Sequence, residues 1–170
     1  SPNYPGAVSI FVHSTNNVSR FKKNLTVFGS TEYKKKLSKN YINISLSKKI
    51  LRSQSKQYVD KFLEIQMKNR PDIIEIHNRP VYIKSLIPLN SKLVLYFHND
   101  PVTMIGSKTI QERVDLLNKC SKVIFNSEWS KKQFLKDLKS FYHKSKKLEV
   151  IHQSINKKKI NFKLKENLIR

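Results

Sequence analysis

The chain has 170 residues, 38% of them hydrophobic, and its 34 Lys and Arg against 12 Asp and Glu give a formal net charge of +22. That length supports one sizeable core, so a single domain is the simplest organisation. No apolar run reaches the roughly 18 residues of a membrane span, nothing at the start reads as a secretory leader, and the lone Cys120 excludes an internal disulfide. A reducing cytoplasm fits best, with Cys120 as a small core residue.

Residues 1–6 are turn-rich and feed a helix predicted over 7–21, in which Ile10, Phe11, Ser14, Val18 and Phe21 share a face at helical spacing. A short strand at 25–28 closes on Gly29-Ser30, and 42–46 reads as another after a lysine-rich connection. The clearest helix spans 52–69, with Tyr58, Phe62, Ile65 and Met67 on its apolar surface, and Pro71 stops it. A strand at 72–76 begins at once and runs into His77-Asn78-Arg79-Pro80.

The run from Lys92 to Pro101 is the most telling stretch. Its apolar core at 93–97 suits a strand in the middle of a parallel sheet, covered on both faces, and it leaves the sheet as His98-Asn99-Asp100-Pro101. Thr109-Ile-Gln-Glu112 has the form of a capping box and opens a helix through Leu116 and Leu117. A strand at 122–125 is broken by Asn126-Ser127. A helix from about Glu128, capped by Ser127-Glu128, then carries Trp129, Phe134 and Leu138. Residues 148–151 form a last strand, the tail from Lys157 is basic and irregular, and 165–170 reads as the start of a further strand. Strand and helix alternate, which predicts an α/β fold built on a Rossmann-like parallel sheet flanked by helices.

In such folds ligands bind beyond the carboxyl ends of the strands. His98, Asn99 and Asp100 arrive there together, an imidazole able to hydrogen-bond a sugar hydroxyl or a developing charge, with an amide and a carboxylate beside it to orient it. The plainer alternative is a turn made by Asp100-Pro101 and a satisfied core histidine. His77, Asn78 and Arg79 repeat the pattern one strand earlier, where the planar fork of Arg79 suits a phosphate or carboxylate, or is a surface side chain beside a turn. Pro5-Gly6 heads the first helix, where glycine lets an anionic group approach, although Pro-Gly also marks ordinary turns.

A three-glycine dinucleotide fingerprint and a P-loop are absent, which disfavours nicotinamide or flavin cofactors. The five histidines lack metal-box spacing, so no metal is expected. Trp129 reads as core or interface. The net charge favours nucleic acid or an anionic membrane as partner. It is nearly all lysine, spread along the chain, with no Arg-studded recognition helix and no aromatic-and-basic RNA signature. Nucleic acid is therefore the weaker expectation and peripheral contact with anionic lipid the stronger.

The succession of residues 72–80, 95–101, Arg113-Val-Asp-Leu-Leu117 and Val123-Ile-Phe-Asn-Ser-Glu-Trp129 resembles family-4 glycosyltransferases of the GT-B fold, of the type that builds bacterial lipopolysaccharide core or surface polysaccharide. Val150 to Ile155 stands where that family has a Pro-Asn-Gly turn, here His152-Gln153-Ser154. The resemblance implies that 1–156 is the acceptor-side N-terminal domain lacking its first strand. Residues 157–170 would begin the connection to a donor-binding C-terminal domain. It implies a metal-independent hexosyl transfer from a nucleotide-sugar to a glycan or lipid-linked acceptor, without cofactor, in the cytoplasm or on the inner face of the plasma membrane. His98 would be the catalytic residue of the cleft. Gly6, His77, Asn78, Arg79, Asn99, Asp100, Arg113 and Glu128 would bind substrate. The piece alone would be inactive. The alternative is a non-catalytic basic module for nucleic acid or anionic membrane.

Overall fold

The computed structural model describes residues 6–47 and 52–153. The expected starts of a connection and of a further strand, at 157–170 and 165–170, lie outside the described residues. The described residues form strands β1 (Val27–Gly29), β2 (Tyr41–Asn43), β3 (Ile73–His77), β4 (Lys92–Phe97), β5 (Lys122–Phe125) and β6 (Leu148–Val150), with helix α1 (Ala7–Val18) ahead of them and α2 (Gln54–Asn69), α3 (Ile83–Leu86), α4 (Ile110–Lys119), α5 (Glu128–Leu135) and α6 (Ser140–His143) between them. All strand pairs are parallel, in two sheets ordered β1-β2 and β3-β4-β5-β6. The fold is α/β and Rossmann-like.

In the four-stranded sheet spatial order follows chain order, so right-handed crossovers carry every connecting helix to one face. Side-chain parity agrees. Leu93, Leu95 and Phe97 of β4 alternate onto the face that also buries Val123 and Phe125, and Phe134 of α5 packs there with ring centroids 5.7 Å from Phe97 and 5.3 Å from Phe125. The other face carries Tyr96, and Phe11 of α1 meets it at 5.1 Å. The carboxyl half of β4 is therefore covered on both sides, as the apolar run requires, while Lys92 at its start is exposed.

Local signals set most boundaries. Ser53 accepts from the Lys56 amide at the start of α2, and Arg70 in the left-handed conformation (φ 33°) ends it. Thr109 and Glu112 form the complete capping box, with Glu112 N to Thr109 Oγ1 at 3.1 Å and Thr109 N to Glu112 Oε2 at 2.9 Å. Asp137 (φ 64°) follows the end of α5 at Leu135, so Leu138 packs in the core from outside the helix.

Four expectations are corrected. The first helix stops at Val18, where Ser19 turns extended, and the face predicted over 7–21 dissolves: Val18 is 81% exposed and no residue of α1 is fully buried. Met67 lies on the outside of α2. The second strand is Tyr41–Asn43 and it pairs with β1; Ile44, just past it, still donates its amide to the Gly29 carbonyl at 2.8 Å while its side chain enters the core. Between β3 and β4, where no element is predicted, two 3₁₀ turns flank α3, and Ile83, Leu86 and Leu89 plug the core. Among the described residues no helix is long and apolar enough to cross a membrane.

Candidate functional site

The carboxyl edge of the four-stranded sheet is built around the end of β4. Pairing aligns His77 with Tyr96 and Tyr96 with Ile124, which puts Glu75, His77, Tyr96 and His98 on one face. The backbone of His98 is clamped from both neighbouring strands. Its N–H donates to Asn78 Oδ1 at 2.7 Å, and its carbonyl accepts from Asn126 Nδ2 at 2.7 Å. Asn78 sits at φ 53°, a left-handed position that asparagine tolerates, and this turns its amide back toward β4. Asn78 Nδ2 also donates to Asn99 Oδ1 at 3.3 Å.

The His98 ring is 8% exposed and joins a file of polar groups. His77 Nδ1 stands 2.8 Å from His98 Nε2, His77 Nε2 is 3.0 Å from Glu75 Oε1, and the Gln153 amide nitrogen closes on His98 Nδ1. Tyr96 and Phe11 pack on both imidazoles: Tyr96 is 4.2 Å from His98 and 5.7 Å from His77 between centroids, and Phe11 reaches His98 at 5.0 Å and His77 at 6.1 Å, both edge-on. The Tyr96 hydroxyl donates to the carbonyl of Ile151 at 2.6 Å, which ties the segment after β6 to this edge.

Burial is the main force on His98. Together with the nearby His77, and against the opposing Glu75, it brings the pKa down to about 4. Glu75 is held below the usual carboxylate value, first by the hydrogen bond from His77. Burial raises the Tyr96 phenol. At neutral pH the imidazole of His98 is uncharged, which suits hydrogen bonding to a hydroxyl better than holding an anion.

The remaining expected residues divide. His77, Asn78, Asn99 and His98 do meet. Asp100 serves the turn that follows, its Oδ1 accepting from the Val102 amide at 3.2 Å. Arg79 is exposed and donates to the neighbouring Asn78 carbonyl at 3.0 Å. Gly6 precedes α1 with an ordinary extended backbone and open space where a Cβ would stand, so neither conformation nor crowding demands glycine there.

Arg113 is buried, and its guanidinium is taken up by backbone carbonyls, Lys108 at 2.8 Å and Lys136 at 2.7 Å. It staples the start of α4 to the end of α5, and no substrate contact follows from that placement. Glu128 is exposed in the first turn of α5, whose cap is the Ser127 hydroxyl accepting from Ser130 N. Trp129 beside it is 56% exposed, so it is not core.

Sequence reading misses Glu75, Phe11, Asn126 and Gln153 as members of the site. A signal exists for Glu75, a lone carboxylate two residues before His77 on an apolar strand, hence on the same face. Gln153 lies 55 residues from its partner and carries none. Among the described residues no group of three or more His, Cys, Asp or Glu could hold a metal ion.

These features define a Rossmann-like α/β domain with a histidine pair, His98 buried and His77 half-buried, at the carboxyl edge of its sheet. Compared with known proteins, the chain matches no family model and no curated protein.

Proposed function

We propose that this chain is the acceptor-side half of a GT-B glycosyltransferase, acting in hexosyl transfer from a nucleotide-sugar to a glycan or lipid-linked acceptor of the surface-polysaccharide type. The observation that carries the reading is the neutral, buried His98 at the end of β4, framed by amides from both flanking strands. The imidazole of such a site offers hydrogen bonds to sugar hydroxyls without itself carrying charge.

The sheet order supports it. β1 and β3 are edge strands of their sheets, and one further parallel strand between them would give β2-β1-x-β3-β4-β5-β6, the doubly wound order. The topological switch would then fall beside His77, where open α/β sheets bind ligands. Donor phosphates would be gripped mainly by a second domain.

Transfer from a panel of labelled nucleotide-sugars by the full-length protein tests the reading. Activity that His98→Ala abolishes while circular dichroism stays native supports it, and wild-type turnover in that variant removes His98 from the mechanism. The net charge of +22 favours the second reading, a basic module for anionic membrane or nucleic acid. Duplex binding that depends on sequence and survives physiological salt would favour that module over the transferase.

A further inference from the structure

The polar file at the sheet edge has a direction. The Glu75 carboxylate only accepts, so the His77 Nε2 that faces it at 3.0 Å carries the proton. In a neutral His77 the other nitrogen, Nδ1, is then an acceptor. His98 Nε2, 2.8 Å away, must donate to it, and this leaves His98 Nδ1 as a lone pair. The group that meets that lone pair is the amide nitrogen of Gln153, a donor, which agrees with the assignment at the far end of the chain of bonds. In a neutral His77 the reversed file would aim an unprotonated nitrogen at a carboxylate; only an imidazolium His77, donating from both nitrogens, would give His98 the opposite, Nδ1–H, form.

We propose that Glu75, acting through His77, fixes His98 in its Nε2–H tautomer, so that its Nδ1 is a standing acceptor for a ligand hydroxyl in the place the Gln153 amide now fills. Glu75 and His77 are positioning residues, and Gln153 is the internal stand-in that such a hydroxyl displaces. Gln153 is exposed and follows the last strand, so it can yield. The bonds from Asn78 and Asn126 fix the His98 backbone, and the ring itself is packed by Tyr96 and the edge of Phe11. Site selectivity follows: a hydroxyl donor is bound, and a group that can only accept, such as a carboxylate or phosphodianion, meets a lone pair. The identity of that hydroxyl as a sugar's rests on the transferase reading; the tautomer does not.

Long-range ¹H–¹⁵N NMR of the imidazole nitrogens in the free protein tests the assignment near pH 7, with His98 signals identified by their loss in His98→Gln. The expected result is a single Nε2–H form of His98 in the wild type. Glu75→Leu should lose it to a tautomer mixture, and Glu75→Gln, whose amide oxygen still accepts, should restore it. Gln153→Ala should leave it in place, because Gln153 follows the file and does not set it. A predominant Nδ1–H form in the wild type overturns the proposal whatever the variants do, and so does an unaltered tautomer in folded Glu75→Leu. If the tautomer is as stated and no nucleotide-sugar is turned over, the transferase reading fails alone. Turnover with the opposite tautomer defeats this proposal alone.

Discussion

Replacing Asn78 by alanine isolates what holds the end of β4 in place. Two costs add. Alanine at φ 53° meets the left-handed penalty of roughly 1 kcal/mol. The His98 amide, which now donates to Asn78 Oδ1 at 2.7 Å beneath a buried ring, loses its partner, a loss of about 1–3 kcal/mol. Asn78 itself is half-buried, so water can partly replace the bond, and the sum should fall near 2–3 kcal/mol. Asn78→Asp keeps an acceptor and tolerates the left-handed backbone. Losing only the exposed contact to Asn99, it should cost under about 1 kcal/mol. Urea unfolding of the two variants measures both numbers, and hydrogen exchange at the His98 amide should speed up in alanine and stay slow in aspartate. An alanine variant within about 0.5 kcal/mol of wild type, or an aspartate variant as damaged as alanine, would refute the clamp.

Stability should depend on acid through His98. Its pKa is about 4 when folded and near 6.5 when unfolded, so the unfolded chain binds more protons between these values. The stabilisation is whole above pH 6.5, is lost as pH falls toward 4, and amounts at most to roughly 3 kcal/mol; urea titrations from pH 7 to 4 should show that slope flattened in His98→Gln. Phe134→Ala empties the fully buried position between Phe97 and Phe125 and should cost about 3–5 kcal/mol by the same unfolding assay. Arg113→Met keeps volume but strips the carbonyls of Lys108 and Lys136 of a charged donor, for about 2–3 kcal/mol, while leaving the His98 imidazole signals unchanged. The Cys120 thiol, 1% exposed and pushed up to about 12 by burial, should resist disulfide reagents in the native protein and react promptly in urea.

Where local chemistry decides an element, the sequence is sufficient. The strand expected at 122–125 is observed as Lys122–Phe125, and the Thr109–Glu112 capping box forms as its spacing demands. α1 misleads because its apolar residues have helical spacing and yet only Phe11 finds rings to pack on, so periodicity overstates what the helix buries. α3 is hidden by its four-residue length and by the prolines at 80 and 88, which read as turn.

The site is legible in its chemistry but not in its contacts. Two His-Asn strand ends can be read off one line of sequence. That His77 and His98 touch is a consequence of strand register, with His77 beside Tyr96, and register is a tertiary property. Gln153 arrives through the same register carried two strands further.

Charge placement bears on what this edge can recognise. The protein carries +22 overall, yet the side chains that converge on His98 are Phe11, His77, Tyr96, Asn78 and Gln153, none of them a fixed cation. The guanidinium of Arg79, next to Asn78 in sequence, is exposed and turned onto its own loop, and His98 would need acid below about pH 4 to become cationic. Among the described residues, an anion drawn in by the long-range field would therefore meet no fixed cation in contact with His98, where close contact decides affinity. On the transferase reading the two roles separate: lysines raise the local concentration of an anionic donor or membrane, and the neutral imidazole reads a hydroxyl. Raising ionic strength should then weaken capture of the anionic partner and leave the selectivity set at His98 unchanged, because screening acts on exposed charges and hardly on a buried hydrogen bond. KM for a nucleotide-sugar that climbs with salt at constant preference among its hydroxyl epimers is the expected result. Preference that decays in step with KM would mean that charge, and not His98, does the discriminating.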